Sequence, residues 1–306
     1  MEPKKILIFG KGQLGTFFKD YFESKSVEVA AIRVDIRDLD AVRSAVAEAG
    51  ADVIVNCSAK TDIDWCERNR TEAFEVNTLG ADNVAAAAGE AGKYLLHVSS
   101  GCVQESLAAD DVKDEDDAPN PVCFYAWTKV WAENLVMDRA ARRGLKALLL
   151  RPRQLLSSMA SPRNALVKML TYTKFIDTPN SCTVVEDLMD ATWELLRQDA
   201  TGLLNVVNPG VTSPYRIAQT LKDIIKPEME IEKISKDELN SMTFAKRIDA
   251  VLSTAKLEAL GISLPPLEKR LPEIVSDLKA NLGIEAGREI MRKTEQDTKE
   301  KLSIVA

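Results

Sequence analysis

One histidine, His97, is the whole imidazole inventory of this 306-residue chain, and no two of its five cysteines form a Cys-x-x-Cys pair. Without clustered His and Cys a zinc site has no ligand set, so no metal is expected. The odd, dispersed cysteines (Cys57, Cys66, Cys102, Cys123, Cys182) argue against a disulfide framework and for free thiols in a reducing, cytoplasmic setting. No apolar run approaches the ~20 residues of a membrane span. The opening Met-Glu-Pro-Lys-Lys runs into a short strand pattern rather than a signal-peptide core. A dense Lys/Arg stripe is also missing, and with a net charge of −7 this speaks against a nucleic-acid partner. What is present, 45% hydrophobic and 28% charged residues, is ordinary for a globular protein. The length suits one large or two small domains.

Short apolar runs alternate with helical periodicity through the first half. Strand patterns cover Lys5 to Phe9, Val27 to Ile32, Val53 to Val55, Tyr94 to Val98 and Ala147 to Leu150. Between them lie helical patterns: Phe17, Phe18, Tyr21 and Phe22; Leu39 to Ala49, stopped by Gly50; the alanine-rich Ala73 to Ala91; and Phe124 to Arg143, stopped by Gly144. The acidic stretch Asp110 to Asp117 reads as an exposed loop. This alternation predicts an α/β fold, a Rossmann-type doubly wound parallel sheet over residues 1–155, with the chain returning to it near 183–208. Prolines punctuate shorter elements beyond Arg151, which predicts a smaller α+β C-terminal substrate-binding domain over 156–282. Residues 283–306 form a charged tail.

Gly10-Lys11-Gly12-Gln13-Leu14-Gly15 stands between the first strand and the first helix. In that setting Gly10 allows the tight turn, Gly12 lets the backbone approach a pyrophosphate, and Gly15 lets the helix pack closely. The helix N-terminus then offers N–H donors and a positive dipole end to phosphates. A dinucleotide is therefore expected. At the end of the second strand Arg33 precedes the first acid, Asp35. A guanidinium there suits a 2′-phosphate and favours NADPH over NADH; the alternative is a solvated Arg33 with Asp35 as the ribose acid.

Tyr125 and Lys129 are one helical turn apart and share a face. A fixed positive charge beside a phenol is expected to draw its pKa down from about 10, and such a tyrosine can protonate an oxygen as hydride reaches its carbon. Taken alone, such a pair is more often a solvated helix face. His97 lies inside an apolar strand and reads as a core histidine. Trp127 and Trp131, one turn apart, read as packing residues, as do Cys57, Cys66, Cys123 and Cys182.

These pieces resemble the extended short-chain dehydrogenase/reductases. The resemblance rests on the glycine loop, Asp35-Ile36-Arg37-Asp38-Leu39-Asp40-Ala41-Val42, Asp52-Val53-Ile54-Val55-Asn56, Ser99-Ser100 and Tyr125-x-x-x-Lys129. Within that family the dTDP-4-dehydrorhamnose reductases are similar. A closer likeness, over roughly residues 5–260, is to the bifunctional UDP-4-keto-6-deoxyglucose 3,5-epimerase/4-reductases of UDP-rhamnose synthesis. It is carried by Asp64-Trp65-Cys66-Glu67, Gly101-Cys102-Val103, Ser161-Pro162-Arg163-Asn164, Asp177-Thr178-Pro179-Asn180-Ser181, and Thr201-Gly202 through Asn208-Pro209-Gly210-Val211.

The resemblance implies that Ser100, Tyr125 and Lys129 form a reductase triad, and that Asp35 and Ile36 sit beside the adenine. Cys102 and Lys168 would be the epimerase pair, with Arg163 and Asn164 holding a UDP-4-keto-6-deoxyhexose. It also implies a homodimer built on the Tyr125 helix and the alanine-rich helix. Read from the residues alone, Cys102 is more readily a small buried hydrophobe and Lys168 a solvated helix lysine. In an extended segment Ser100 and Cys102 would point to the same face. Two departures stand out: the glycine loop is one residue shorter than the family's Gly-x-x-Gly-x-x-Gly, and Gln104-Glu105 follows Val103 where an aromatic is usual. The implied activity is 3,5-epimerisation and 4-keto reduction. Two alternatives are a reductase alone and a non-catalytic NADP-binding subunit, as in the related β-subunit of methionine adenosyltransferase.

Overall fold

The computed structural model describes residues 2–305. Its first half runs β1 (Lys5–Phe9), α1 (Gln13–Ser24), β2 (Glu28–Ile32), α2 (Leu39–Ala49), β3 (Val53–Asn56), α3 (Ile63–Arg68) and α4 (Arg70–Phe74). A π-helical turn (Glu75–Leu79) leads into α5 (Gly80–Glu90), β4 (Tyr94–Val98), a 3₁₀ turn (Gly101–Val103), β5 (Val112–Lys113), α6 (Phe124–Arg143) and β6 (Ala147–Arg151). The second half follows with β7 (Leu155–Leu156), α7 (Ala165–Met169), β8 (Lys174–Ile176), β9 (Asn180–Val184), α8 (Val185–Arg197) and β10 (Gly202–Asn205). It closes with β11 (Asn208–Thr212), α9 (Pro214–Ile224), β12 (Glu232–Ile234), α10 (Lys236–Met242), β13 (Val251–Leu252), α11 (Ala255–Ala259), α12 (Leu267–Gly283) and α13 (Glu285–Val305).

Six parallel strands stand in the order β10-β6-β4-β3-β1-β2. Alternate strand residues divide between the two faces. Ile6, Ile8, Val53 and Leu148 meet Phe18 and Phe22 of α1 and Leu188 and Leu195 of α8. Leu7, Phe9, Ile54 and Leu149 meet Val42 of α2, Val84 of α5 and Val136 of α6. Local chemistry sets the helix ends. The Asp38 carboxylate accepts from the backbone N–H of Asp40 and Ala41 to start α2, which Gly50 stops in the left-handed region. The expected boundaries of α2 and α6 match the structure. The strand order reverses at β1, between β2 and β3, so the carboxyl ends of β1 and β3 open onto the crevice where such sheets take ligands.

The second half builds its own core from Leu156, Val167, Phe175, Val184, Ile217, Leu221, Leu271 and Leu278, while β10 returns to the edge of the main sheet beside β6.

Two expectations are corrected. The alanine-rich segment is not one α-helix: α4 passes through the π turn before α5 begins at Gly80. A Cβ on Gly80 would lie 2.6 Å from the Ile36 side chain, so close packing against the β2–α2 link holds this bend. The acidic stretch is not a free loop either. Val112 and Lys113 pair in parallel with Val251 and Leu252, and buried Glu115 accepts from the Asn205 N–H at 2.6 Å. Among the described residues no helix is long and apolar enough to cross a membrane.

Candidate active site

A cavity of about 580 Å³ opens above β1, β3 and β4. Gly12, Gln13, Leu14 and Gly15 form one wall. Gly10 has φ +102°, and a Cβ there would lie 2.9 Å from Ser58 N; a Cβ on Gly15 would sit 2.0 Å from the Gly10 carbonyl oxygen. Both glycines are therefore obligatory for the turn. A Cβ on Gly12 would meet nothing within 4 Å, so that backbone faces open space at the start of α1. This cradle fits a dinucleotide pyrophosphate.

The opposite wall is the loop after β3, which contributes Cys57, Ala59 and Thr61. Asn77 clamps it: its Oδ1 accepts from Lys60 N at 2.7 Å, and its Nδ2 donates to Lys60 O at 2.9 Å and to Thr128 Oγ1 at 3.1 Å. Thr78 Oγ1 donates to the Thr128 carbonyl at 3.0 Å. The wider π turn lets these two consecutive residues both reach the α6 side.

Beside the cavity a groove of about 490 Å³ is lined by Asp35, Arg37, Asp38, Glu75 and Leu79. Arg37 grips Asp35 with Nη2 to Oδ2 at 2.6 Å and Nε to Oδ1 at 2.9 Å; that guanidinium holds the Asp35 carboxyl down at about 2. Ile36 is buried beneath Gly80. Arg33 is exposed and lines neither space. The cation beside Asp35 is thus Arg37, which corrects the expectation for Arg33. The reason is a turn after β2, closed by Asp38 N to Asp35 O at 3.0 Å, which folds Arg37 back over Asp35. The acid-x-Arg spacing was the available signal.

Ser100, Cys102, Tyr125 and Lys129 all face the larger cavity. The segment holding the first two is not extended as expected. Ser100 caps a 3₁₀ turn, its Oγ accepting from Cys102 N at 3.2 Å, yet both side chains still reach the cavity. Tyr125 is buried, and burial first, then Cys102, pushes its phenol above the ordinary range, while the Ser100 hydroxyl pulls the other way. That corrects the expected lowering by Lys129: the Lys129 ammonium donates to Val98 O at 2.9 Å, and its own pKa falls to about 8, chiefly through burial, with Glu133 opposing. His97 lies in the core, driven well below its usual range by burial, with Nδ1 3.3 Å from Asn56 Nδ2.

Behind Lys129 sits a network that sequence reasoning missed. Buried Arg151 donates to Glu133 through Nε at 2.8 Å and Nη2 at 2.7 Å, and Ser99 Oγ donates to the same carboxylate. It ties α6 to the ends of β4 and β6.

Lys168 is half-buried on α7 and lines both this cavity and an adjoining one of about 340 Å³, as does Cys102. Exposed Arg163 lines the larger. Asn164 lines neither, contrary to expectation. Its Nδ2 donates to Ser157 O at 2.8 Å and Met159 O at 2.7 Å, and its Oδ1 accepts from Leu166 N at 3.0 Å, so the amide caps α7 and positions Lys168. The smaller cavity adds Asn180, from a segment that carries the resemblance, and Arg153, Tyr172, Arg247 and Asp249, which were not singled out in the sequence. Arg247 pairs with Asp64 at 2.6 Å, joining the second half of the chain to α3. Trp127 and Trp131 stack at 5.7 Å on the outer face of α6, with Phe74 and Phe124 edge-on to Trp131. Among the described residues no group of three or more His, Cys, Asp or Glu is placed to hold a metal ion.

Residues 4–280 match the family described as RmlD substrate binding domain, and the chain belongs to that family. It is 26% identical over 281 residues to an Arabidopsis thaliana bifunctional dTDP-4-dehydrorhamnose 3,5-epimerase/dTDP-4-dehydrorhamnose reductase, covering 88% of this chain and 92% of the relative. A UDP-rhamnose synthase structure from Acanthamoeba polyphaga mimivirus superposes with a TM-score of 0.81 at 26% identity, covering 89% of this chain and 99% of the other. A dTDP-4-dehydrorhamnose reductase from Bacillus anthracis, solved in complex with NADP, superposes with a TM-score of 0.79 at 23% identity, covering 89% and 98%.

Proposed function

We propose that this member of the RmlD substrate binding domain family is an NADPH-dependent 4-keto-sugar reductase that also epimerises C3 and C5, converting UDP-4-keto-6-deoxyglucose to UDP-L-rhamnose. One observation carries the bifunctional reading: a thiol, Cys102, and an ammonium, Lys168, line the same cavity as Ser100, Tyr125 and Lys129. A reductase alone needs neither of the first two. The Arabidopsis and mimivirus relatives, with their named epimerase/reductase and UDP-rhamnose synthase activities, support the same reading.

All three reactions lean on one oxygen, at C4 of the sugar. Its carbonyl acidifies the C–H bonds at C3 and C5, and Ser100 and Tyr125 are the donors that stabilise the enolate charge on it. Cys102 removes a proton from one face and Lys168 returns one to the other, which inverts the carbon. When bound, NADPH would supply the hydride for C4. Tyr125, whose raised pKa keeps it protonated at neutral pH, then gives its proton to the new alkoxide. Lys129 holds a positive charge beneath this site below about pH 8. Gly12 and the start of α1 would receive the pyrophosphate. Arg37, released from Asp35, would meet a 2′-phosphate. The stacked Trp127–Trp131 face, with Trp127 42% exposed, supports a homodimer. The five free cysteines support a cytoplasmic location.

Incubating the protein with NADPH and UDP-4-keto-6-deoxyglucose, then identifying the sugar by NMR, tests the proposal. UDP-L-rhamnose is expected. In D₂O without NADPH the unaltered protein should wash deuterium into C3 and C5, and Cys102→Ser should nearly abolish that exchange. Exchange at the unaltered rate in Cys102→Ser would leave a reductase acting on sugar epimerised elsewhere, the reading that the Bacillus anthracis relative favours. Absence of any NADPH turnover would leave a non-catalytic NADP-binding subunit.

A further inference from the structure

Arg153 hydrogen-bonds the Cys102 sulfur, and it does so from a fixed position. Its Nη1 donates to Cys102 Sγ at 3.4 Å, while Nη2 donates to Asn180 Oδ1 at 2.7 Å and to the Ile248 carbonyl. Its backbone N–H donates to Thr183 Oγ1 at 2.9 Å. Asn180 is itself held, accepting from Ala250 N at 3.0 Å and donating to Asp249 Oδ1 at 2.7 Å. The stem of Arg153 packs on the 3₁₀ turn that carries the thiol: a Cβ on Gly101 would lie 3.3 Å from the Arg153 Cβ. The guanidinium therefore has little freedom to swing away from the sulfur.

Charge balance gives this geometry its meaning. Among the described residues no carboxylate lies within ion-pair distance of Arg153, and its Nε is buried without a partner. The nearest acid along the network, Asp249, is already paired with Lys236 at 2.9 Å. A partly buried guanidinium without a counter-ion is costly, unless the group beside it can become negative. The charged and titratable groups around Cys102 are Tyr125, Lys129 and Cys123 from the α6 side, Cys66 from α3, Lys168 from α7 with Tyr172 and Lys174 just after it, Arg247 and Asp249 ahead of β13, and Arg153 from the link between β6 and β7. Of the groups that accept from this guanidinium, Cys102 Sγ is the ionisable one.

We infer that Arg153 is the positioning residue for the epimerase step, the fixed cation that holds the Cys102 sulfur by a hydrogen bond where it removes the sugar proton. The inference rests on the bifunctional reading above. The thiolate takes a proton from C3 or C5; the C–H bond breaks, an S–H bond forms, and the electron pair moves to the C4 oxygen as enolate. The Lys168 ammonium then forms the new C–H bond and becomes an amine. One proton passing from the thiol to that amine through solvent restores both groups, so no co-reactant is consumed.

The test uses the full-length protein and reads the thiol directly. Alkylation of the Cys102 peptide by iodoacetamide is followed by mass spectrometry from pH 5 to 10 in the unaltered protein, Arg153→Gln and Arg153→Lys, with thermal unfolding confirming that each variant is folded. Arg153→Gln should alkylate about tenfold more slowly at pH 7, and Arg153→Lys should recover most of the rate. The ratio of deuterium exchange at C3 and C5 to reduction of a pre-epimerised sugar should fall about tenfold in Arg153→Gln. An alkylation profile unchanged in Arg153→Gln overturns the inference. So does a profile that shifts equally in Gln and Lys, because only loss of packing would do that. If the unaltered protein shows the Arg153-dependent profile yet exchanges no deuterium, the charge pairing stands and the bifunctional proposal fails.

Discussion

Lys129→Met should make the protein more stable at neutral pH and less stable in alkali, even as it destroys the reductase. Burial lowers the Lys129 pKa from its ordinary 10.5 to about 8, with Glu133, the next largest influence, raising it. Each unit is worth about 1.4 kcal/mol, so holding the ammonium in the native state below pH 8 costs about 3 kcal/mol. The sign follows from proton counts. Below pH 8 native and unfolded chains both keep the proton, and the cost is constant. Between 8 and 10.5 the unfolded chain holds more protons than the native one, so stability rises with pH; above 10.5 neither form is charged and the cost is gone. Methionine removes the charge but leaves the Val98 carbonyl, which accepts from Nζ at 2.9 Å, without its donor, a loss of about 1 kcal/mol. At pH 7 the variant should therefore gain about 2 kcal/mol, and at pH 10.5 it should lose about 1. Urea unfolding followed by tryptophan fluorescence at pH 7, 9 and 10.5 measures the difference, and titrations common to both proteins cancel in it. A stability gap that stays the same at all three pH values would refute the assignment of Lys129 as a buried cation held against its burial.

Removing one partner of the buried Glu133–Arg151 pair should destabilise far more than an exposed ion pair would. Glu133→Gln is expected to cost about 3–5 kcal/mol, and a loss under about 1 kcal/mol by urea unfolding would contradict the burial of Arg151. Arg37→Ala should weaken NADPH by about 1.5–3 kcal/mol and leave NADH nearly unchanged, while Arg33→Ala should do little to either; fluorescence titration of both cofactors decides, and the reverse pattern would return the role to Arg33. Trp127→Glu should convert a dimer to a monomer by light scattering, and a monomeric unaltered protein would remove that interface. Ala87 is no substitute site, because it is buried against the sheet.

Elements were legible in the sequence where the signals were local. Asp38 and Gly50 bound α2, Gly144 ends α6, and Gly10 and Gly15 carry their own steric argument, so these features needed no knowledge of distant residues. The acidic stretch failed because β5 exists only through β13, far along the chain, and composition alone favoured solvent. The helical run over residues 73–91 failed differently: a π turn keeps the same residue types as an α-helix, and only the partners of Asn77 and Thr78 reveal it. At the site, Ser100, Tyr125, Lys129, Cys102 and Lys168, singled out because their motifs resemble a known family, line one cavity. Arg153, 51 residues from Cys102, and the Ser99–Glu133–Arg151 network have no local signature. The pKa of Tyr125 was misjudged because its helical spacing to Lys129 is visible in sequence while its burial is not.

The turn at Glu75–Leu79 is, in effect, a helix carrying one surplus residue. Deleting a single codon there would let the hydrogen-bond ladder close in ordinary phase, and the helix by itself would become sturdier. The same deletion would leave the flanking helices nearly in phase but remove the widened turn that lets Asn77 reach the Lys60 peptide and Thr128. The wall of the cavity at Cys57, Ala59 and Thr61 would then lose its clamp, and with it the fixed spacing to the helix that bears Tyr125. Local order and order at the pocket would move in opposite directions, so the irregular turn acts as a spacer: the helix gives up regularity and the crevice keeps its width.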